Sequence, residues 1–515
     1  MAPVTKRTSK LNKLRELSKL GGGEKRIQRQ HEKGKMTARE RINQLLDPAS
    51  FHELESFVAQ DMASRNDLES ISNGVVTGYG QIDGRKVFVY AQDFTVMGGS
   101  LGEMQSHKIC RVMDLAAQTG SPIIGLIDSG GARIQEGVYS LKGYAEIFRR
   151  NALYSGVIPQ ISVILGPCAG GAAYSPALTD FIIMVEEKSY MFITGPNVIK
   201  EITGEEIDFE NLGGAQVHST TSGVVSLTAA DETGSLAHVR KLLSYIPPNN
   251  VENPPDSTTD DDPFRMDESL NAIIPEDSTK PYNMHSILNS VVDRHSFFEI
   301  QPAFAPHAVI GFARFNGSPV GIVAQEPSAL AGIIDIDASD KIARFVRFCD
   351  AFNIPLVTFV DSPGFLPGVN QEHKGIIRHG AKMLYAYSEA SVPKISVVTR
   401  RAYGGAYIVM SSKYLGTDIT YAWPSAQIAV MGAEGAVKIL YRKEMNAAED
   451  PAAERQKRIE DYKEKYLTPY TAAKAGIIDE VILPAETRSK IISALSVIRE
   501  KQIHHPARKH GNSPM

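Results

Sequence analysis

The sequence predicts an α/β protein built as a tandem duplication of one domain. The stretch "GYGQIDGRKVFVYAQ" (78–92) aligns without a gap on "GFARFNGSPVGIVAQ" (311–325), at an offset of 233 residues. Each copy also alternates apolar, strand-like runs with helical segments, which is the pattern of α/β units with parallel strands. A chain of 515 residues is long enough to hold more than one domain.

Residues 1–45 form a predicted basic helical region. The first 41 residues contain thirteen Lys or Arg and four Asp or Glu. Leucines recur near helical spacing at Leu11, Leu14, Leu17 and Leu20, and the "GGG" at 21–23 ends that helix. Two interpretations stay open: a solvated helix on a larger body, or a surface that binds phosphates or a partner.

The two copies are predicted at 46–245 and 281–515, joined by a Pro- and Asp-rich connector at 246–280. The apolar runs "PIIGLID" (122–128) and "PLVTFVD" (355–361) match, as do "QISVILG" and "KISVVTR". Continuous apolar runs of this kind are typical of parallel strands buried on both faces. At the end of the second pair the offset is 234, and a Gly-Gly-Ala turn at 170–172 aligns on another at 404–406.

Each copy therefore carries two glycine-rich turns, both at predicted carboxyl ends of strands, where α/β proteins bind ligands. They read "DSGGAR" and "PCAGGA" in the first copy, and "DSPGFLPG" and "RAYGGA" in the second. Glycine lets the backbone approach a ligand closely, and the N–H groups at the start of a helix lack internal acceptors. Two such groups aimed at one point stabilise an oxyanion, and the repeat predicts one such site in each copy.

The sequence offers fewer candidate catalytic side chains than candidate backbone donors. The chain has no Walker-type "GxxxxGK[ST]" and no "GxSxG" motif, and Ser175 lacks evident His and Asp partners. Asp128 and Asp361 occupy matching positions in the two copies. Two interpretations stay open: each caps the turn that follows it, or each acts as a general base. We interpret the histidines as surface residues without metal-ligand spacing, namely His31, His107, His285 and His373. Backbone donors without a protein base suit enolate chemistry in which a cofactor supplies the base.

Composition excludes several classes of protein. The net charge of -4 is small for this length, which argues against a nucleic-acid or membrane-surface binder. No apolar run approaches the length of a membrane span. The three cysteines form no close pairs, so we predict no metal site built on them and a reducing compartment, the cytoplasm.

Several motifs together resemble one family. They include "KGKMTARERI", "QDFTVMGGSLGE", "DSGGARIQEG", "MFITGPNVIK", "FVDSPGFLPGVNQEHKGIIRHGAK" and "AWPSAQIAVMGAEGAVKIL". Their order is similar to that of the carboxyltransferase (beta) subunit of biotin-dependent acyl-CoA carboxylases, of the propionyl-CoA or acetyl-CoA carboxylase type. The resemblance implies two crotonase-like (ββα spiral) domains, the first holding the acyl-CoA and the second holding biotin. It also implies a homo-oligomer, a hexamer, with active sites between subunits.

The resemblance assigns residues as well. Gly170 and Gly171, with Ala132, would hold the thioester oxygen, and Gly405 with Ala406 would hold the biotin oxygen. The acyl-CoA side would further include Gly131, Ala172 and Ile408, and the biotin side Gly364, Phe365 and Gly404. Ile408 occupies the position that resembles a selector of acyl size, where an apolar residue goes with acceptance of acetyl-CoA.

The implied reaction moves CO2 from carboxybiotin to the α-carbon of propionyl-CoA or acetyl-CoA, giving methylmalonyl-CoA or malonyl-CoA. The chain has no "AMKM" biotin-attachment motif, so biotin would reside on a biotin carboxylase or biotin carrier subunit. An alternative is the reverse half-reaction, in a methylmalonyl-CoA decarboxylase or transcarboxylase. A non-catalytic scaffold is a further alternative, although glycines kept in both turns favour an enzyme.

Overall fold

The computed structural model describes residues 6–58, 72–277, 280–503 and 505–514. It divides into two compact units, Met1–Glu252 and Asn253–Met515. Within the described residues each unit contains one eight-stranded sheet. The boundary between the units falls inside the segment 246–280 that the sequence predicts as a connector.

The first unit is a mixed sheet covered by helices. Its strands are β1 (His52–Leu54), β2 (Val75–Ile82), β3 (Arg85–Gln92), β4 (Ile123–Ser129), β5 (Gln160–Ala169), β6 (Phe181–Val185), β7 (Tyr190–Phe192) and β8 (Leu227–Ala229). Their order is β1-β2-β3-β4-β5-β6-β8, with β7 also paired to β5. Strands β1 to β3 pair antiparallel, and the pairs from β3 onward are parallel.

The helices of the first unit precede the sheet or connect its strands. They are α1 (Lys6–Lys19), α2 (Glu24–Glu32), α3 (Ala38–Leu45), α4 (Glu103–Gln118), α5 (Val138–Tyr154), α6 (Gly171–Ala177), α7 (Pro196–Thr203), α8 (Phe209–Gly213), α9 (Ala215–Thr220) and α10 (Glu232–Leu243). Helix α3 begins at a capping box formed by Thr37 and Glu40. The "GGG" turn lies between α1 and α2, so the first helix ends where the sequence predicts.

The second unit repeats the topology of the first. Its strands are β9 (Phe298–Ile300), β10 (Ala308–Phe315), β11 (Ser318–Gln325), β12 (Leu356–Ser362), β13 (Lys394–Tyr403), β14 (Ile419–Ala422), β15 (Gln427–Ala429) and β16 (Glu480–Val481). The order is β9-β10-β11-β12-β13-β14-β16, with β15 paired to β13. The parallel pair β12–β13 even shifts register where β4–β5 does, one residue before the strand end. The predicted duplication is confirmed.

Helices of the second unit follow the same plan, with a longer helical insertion after β15. They are α11 (Met284–Val291), α12 (Ile336–Ala351), α13 (Val369–Lys374), α14 (Ile376–Glu389), α15 (Gly404–Val409), α16 (Ala433–Leu440), α17 (Arg442–Ala447), α18 (Pro451–Tyr466), α19 (Pro469–Lys474) and α20 (Thr487–Ile498). Among the residues that the structure describes, no helix is long and apolar enough to cross a membrane.

The central strands are buried on both faces, as their apolar sequences predict. All seven residues of β4 and all seven of β12 are buried. Burying this apolar surface is the main favourable contribution to folding, at roughly 25 cal/mol per Å². The strands place the turns that follow them at one edge of each sheet.

The duplication extends to a pair of buried lysines on α4 and α12. Lys108 Nζ donates to the Val75 carbonyl at 2.8 Å, and Lys341 Nζ donates to the Phe304 carbonyl at 2.7 Å. Burial lowers the pKa of Lys108 to about 8 and that of Lys341 to about 7. These positions align in the sequence repeat, so a buried polar contact has been kept along with the strands.

The connector segment packs against the second unit after residue 253. Leu270 lies in the core of that unit. Arg488, which is fully buried, donates to the Asp262 carbonyl and forms a 2.7 Å ion pair with Asp293. The Pro- and Asp-rich composition therefore does not prevent packing, because single apolar and charged residues anchor the segment.

One histidine differs from the sequence prediction. His285 is half-buried, with Nε2 at 2.9 Å from Glu299 and Nδ1 at 3.1 Å from Glu326. Its hydrogen bonds to these two carboxylates raise its pKa to about 9. The surface prediction is wrong for this residue because its acidic partners come from other elements, Glu299 from β9 and Glu326 from the residue after β11.

We expect His285 to make stability depend on pH. Its folded pKa of about 9 lies above the ordinary histidine value of 6.5, so its contribution is full below about pH 6.5 and is lost as the pH rises through about 9. With solvent screening of a partly exposed pair, His285→Gln should cost about 1–2 kcal/mol near pH 6 and much less near pH 10. Urea unfolding at both pH values measures this difference. The exposed His373 provides the control, since His373→Gln should give the same small change at both.

Candidate active site

Two glycine-rich turns of the first unit lie side by side. One follows β4 and contains Gly131, and the other connects β5 to α6 through Gly170. Because β4 and β5 are adjacent and parallel, both turns lie at the same edge of the sheet. A Cβ atom on Gly131 would lie 2.8 Å from the carbonyl oxygen of Ala169, so the two turns are in direct contact.

Four of the predicted glycines have a backbone conformation that side chains disfavour. Gly131 and Gly170 have φ of 100° and 60°, and their counterparts Gly364 and Gly404 have φ of 148° and 55°. Glycine adopts this left-handed region without steric cost. The same conformation at matched positions of both units explains why the sequence repeats its glycines.

Backbone donors are left available at the edge of the first sheet. In the part of this unit that the structure describes, three N–H groups near the turns have no acceptor, those of Ala132, Gly171 and Ala172. Their neighbours are paired: Gly170 donates to the Phe192 carbonyl at 3.0 Å, and Arg133 donates to the Leu101 carbonyl at 2.9 Å. The turn is therefore fixed by its neighbours while these donors can bind an oxyanion.

The second unit has the same arrangement. Over its described residues, the N–H groups of Phe365, Gly405 and Ala406 have no internal acceptor. Ile334, which forms an isolated parallel bridge with Phe365, holds the first turn from both sides, since its N–H donates to the Gly364 carbonyl and its own carbonyl accepts from the Leu366 N–H. Phe365 thus stands where Ala132 stands in the first unit, which supports its place among the predicted residues of the site.

The two turns differ in the space around the second glycine. A Cβ atom on Gly171 would lie 2.9 Å from the ring of Tyr144, closer than real side chains approach. A Cβ atom on Gly405 would lie 3.6 Å from the ring of Phe365, an ordinary van der Waals distance. Only the first turn therefore excludes a methyl group at this position.

One oxygen of the Asp128 carboxylate is held by three side chains, whereas its buried Oδ1 atom has no hydrogen-bond partner among the described residues. Lys35 Nζ lies 2.7 Å and Arg41 Nη1 lies 2.9 Å from its Oδ2 atom, and Gln30 donates to the same oxygen at 3.3 Å. Arg41 also pairs with Glu232 at 2.7 Å. Part of the basic N-terminal region is therefore neither solvated nor free to bind phosphate.

Asp361 is held in the same way. Its carboxylate lies 3.0 Å from Arg400 Nε and 2.7 Å from Arg401 Nε, and it accepts from the Arg401 backbone N–H at 3.1 Å. Neither matched aspartate is a free general base, and neither caps the turn that directly follows it. The two arginines before the second Gly-Gly-Ala turn were the signal for this ion pair, and the sequence analysis did not use them.

The remaining predicted residues lie near the turns or in the core. Ile408 is 48% exposed on α15. Ser175 is buried and donates to Asn151 Oδ1 at 3.0 Å, so it is no activated nucleophile. Three of the histidines predicted at the surface, His31, His107 and His373, are exposed. Across the described ranges, no group of three or more His, Cys, Asp or Glu could hold a metal ion.

Comparison with known proteins gives consistent matches over the whole chain. Residues 29–513 match the carboxyl transferase domain family. The chain is 56% identical over 511 residues to the propionyl-CoA carboxylase carboxyltransferase subunit of Haloferax mediterranei, with 99% of each chain covered. It is 51% identical over 519 residues to methylmalonyl-CoA decarboxylase subunit alpha of Propionigenium modestum, with 100% of each covered.

Among solved structures, the chain is similar to transcarboxylase 12S, which was crystallised as a hexamer with methylmalonyl-coenzyme A and methylmalonic acid bound. The TM-score is 0.96 at 51% identity, covering 100% of this chain and 99% of the other.

Proposed function

The chain belongs to the carboxyl transferase domain family, and from this premise we propose that it moves CO2 from carboxybiotin on a partner subunit to the α-carbon of propionyl-CoA, acetyl-CoA or both. The products would be methylmalonyl-CoA and malonyl-CoA. Family membership makes the protein an enzyme of the carboxyl transferase type and confirms the resemblance and the duplicated crotonase-like fold. The observation that carries the proposal is the matched set of unpartnered N–H groups in the two units.

In the first unit, the backbone would stabilise the enolate of the acyl-CoA. The thioester oxygen would accept from the N–H groups of Gly171 and Ala132, with Gly170 shaping the turn. Removing one such donor typically costs about 3–4 kcal/mol of transition-state stabilisation. Gly131 and Ala172 would line the thioester, since they flank these donors in the chain.

In the second unit, the N–H groups of Gly405 and Ala406 would bind the ureido oxygen of biotin, with Gly404 shaping the turn. The residues present fit such a ring: a Cβ atom on Gly364 would meet nothing within 4 Å, and the Phe365 ring lies against the turn. Bound biotin would supply the carboxyl group and a ureido nitrogen as the base. The chain itself would orient the oxygen and stabilise its negative charge.

We further propose that the enzyme assembles as a hexamer with each site shared between subunits. Large apolar side chains close to the turns are strongly exposed in a single chain, including Ile134 at 88%, Ile377 at 79% and Val430 at 79%. Contact with another subunit would bury these side chains. The three cysteines are buried and unpaired, which supports the cytoplasm as the location.

The decisive experiment mixes the purified chain with a biotin carboxylase and carrier subunit, ATP and bicarbonate, and compares acetyl-CoA with propionyl-CoA. Carboxylation of either substrate is the expected result. The alternative function is favoured by the similarity to methylmalonyl-CoA decarboxylase. It would be established if neither substrate is carboxylated while methylmalonyl-CoA loses CO2 to the carrier. If the chain shows no turnover in either direction, the non-catalytic scaffold is the function that remains.

Ile408 provides a prediction about substrate choice. We expect Ile408→Asp to lower kcat/KM for acetyl-CoA relative to propionyl-CoA by about tenfold, within the roughly 10- to 200-fold that a pocket gains from one methylene. Steady-state kinetics with both substrates measures the ratio. The control is Ile377→Asp, at another exposed isoleucine of the second unit. An equal change of the ratio in both variants would contradict a selector role for Ile408.

A further inference from the structure

Strands β12 and β13 of the second unit lose their register just before the glycine-rich turns. Val360 pairs with Val398, whereas Ser362 pairs with Ala402, so one residue of β12 faces three residues of β13. This is the geometry of a β-bulge, and the single residue is Asp361. Because a bulge bends the strand that carries the extra residues, the contacts that hold it decide the direction in which β13 enters its turn.

The Asp361 side chain fills the bulge in place of backbone pairing. Its carboxylate is buried and accepts a hydrogen bond from the Arg401 backbone N–H at 3.1 Å. It also lies 3.0 Å from Arg400 Nε and 2.7 Å from Arg401 Nε. A buried carboxylate needs such partners, because its charge has been removed from water. The bulge is therefore held by a buried cluster of one anion and two cations.

Arg401 joins the ends of three neighbouring strands. It belongs to β13, it pairs with Asp361 near the end of β12, and its Nη2 donates to the Ala331 carbonyl at 2.9 Å in the loop after β11. The same loop continues to Ile334, whose backbone holds the glycine-rich turn after β12. Gly405 follows Arg401 by four residues. One guanidinium group therefore links both glycine-rich turns of the second unit.

The first unit holds the equivalent bulge with different residues. Asp128 of β4 again faces three residues of β5, but the positions that align with the two arginines are Gly166 and Pro167. A Cβ atom on Gly166 would overlap Asp128 Oδ1 and Lys35 Nζ, so the Lys35 amine fills the space of a side chain there. Arg41 supplies the second cation, and its Nη2 also donates to a backbone carbonyl of the bulge at 3.3 Å. Two unrelated elements thus supply cations to one matched aspartate, which indicates that the turn depends on the charged bulge.

We propose that Arg401 is a positioning residue for carboxyl transfer, an inference that rests on the proposed function. Its guanidinium is bound to Asp361 and Ala331. It acts through the backbone, by fixing the direction of the N–H groups of Gly405 and Ala406. Donors that stabilise an oxyanion are effective because they are oriented before the charge develops. A turn that is free to shift therefore lowers kcat, and a displacement of about 1 Å caused by a distant change can cost roughly 10²-fold.

The test replaces the guanidinium but keeps a polar side chain. For Arg401→Gln, we expect kcat for transfer from a carboxylated carrier to propionyl-CoA to fall about 10- to 100-fold, with KM for propionyl-CoA within about twofold of its original value. Arg401→Lys keeps a cation for Asp361 but lacks the planar fork that reaches two acceptors, so its kcat should fall less, by about three- to tenfold. Circular dichroism and thermal melting identify the folded variants.

Arg265 provides a matched control in the same unit. It pairs with Asp261 through two nitrogen atoms, at 2.8 and 2.9 Å, and its side chain is 18% exposed, compared with 15% for Arg401. Its other acceptors are the carbonyls of Ser290 and Val292, which belong to neither glycine-rich turn. Arg265→Gln should therefore lose stability much as Arg401→Gln does, but it should keep kcat within about twofold.

The proposal is overturned if a folded Arg401→Gln or Arg401→Lys protein transfers carboxyl groups at the original rate. It is also overturned if Arg265→Gln lowers kcat equally, or if Arg401→Gln raises KM for acyl-CoA or for the carrier at unchanged kcat. In each of these cases the unmodified chain is active, so the proposed function stands. If the unmodified chain transfers no carboxyl group in either direction, the proposed function fails and the proposal fails with it.

Discussion

A Gly405→Pro variant is expected to lose about 10²- to 10³-fold in kcat for carboxyl transfer, because proline removes one of the backbone N–H donors of the second turn. Proline is tolerated in the first turn of a helix, where the N–H has no internal acceptor. The measurement is steady-state transfer from a carboxylated carrier to propionyl-CoA. The KM for acyl-CoA should stay close to its original value, since the first unit is unchanged.

The control at the same position is Gly405→Ala. It keeps the N–H, and its methyl group would lie 3.6 Å from the Phe365 ring, so it should retain kcat within a few-fold. Gly171 offers no such control, because a methyl group there would lie 2.9 Å from Tyr144. Circular dichroism and thermal melting should show that both Gly405 variants are folded. If Gly405→Pro is folded and transfers carboxyl groups at the original rate, the backbone at this position does not bind the oxyanion.

The second large effect is expected on stability, from Arg41→Met. Arg41 is fully buried and pairs with Asp128 and Glu232, so its loss leaves Glu232 without its arginine partner and Asp128 with only Lys35 as a cation. Removing one member of a buried ion pair typically costs 3–5 kcal/mol, since the remaining charge stays buried. Urea unfolding of the full chain should show this loss in the transition of the first unit.

A partly exposed arginine of the same unit, Arg240, provides the comparison. Arg240 pairs with Asp47 at 3.0 Å and also with Asp83, and its side chain is about one-third exposed. Arg240→Met should cost about 1 kcal/mol or less, because water screens an exposed pair. A similar cost for both variants would mean that Arg41 contributes no more than a surface ion pair.

The sequence predicted the duplication and the turns because both depend on local signals. A register of matching residues over about a hundred positions identifies a repeat, and glycine marks positions of unusual backbone conformation. Structure confirms both at Gly170 and Gly404. The assignment of residues to acyl-CoA or biotin came from the resemblance and stays a prediction.

Long-range ion pairs were not predictable in the same way. Arg41 and Asp128 lie 87 residues apart, and Arg41 and Glu232 lie 191 apart, so no spacing rule connects them. A basic segment is usually solvated, but here one part of it is buried and the other part is exposed. Lys35 and Arg41 are buried against Asp128, while the lysines and arginines of α1 and α2 are exposed. His285 was misjudged for the same reason, since its partners Glu299 and Glu326 come from other elements.

The ring of Tyr144 beneath Gly171 has a consequence for evolution. A Cβ atom at position 171 would lie 2.9 Å from this ring, so the packing favours glycine there. Position 405 has room for a small side chain. The two halves of the chain therefore differ in the substitutions that they tolerate at the second glycine. New specificities, natural or engineered, should therefore arise first in the second half of the chain.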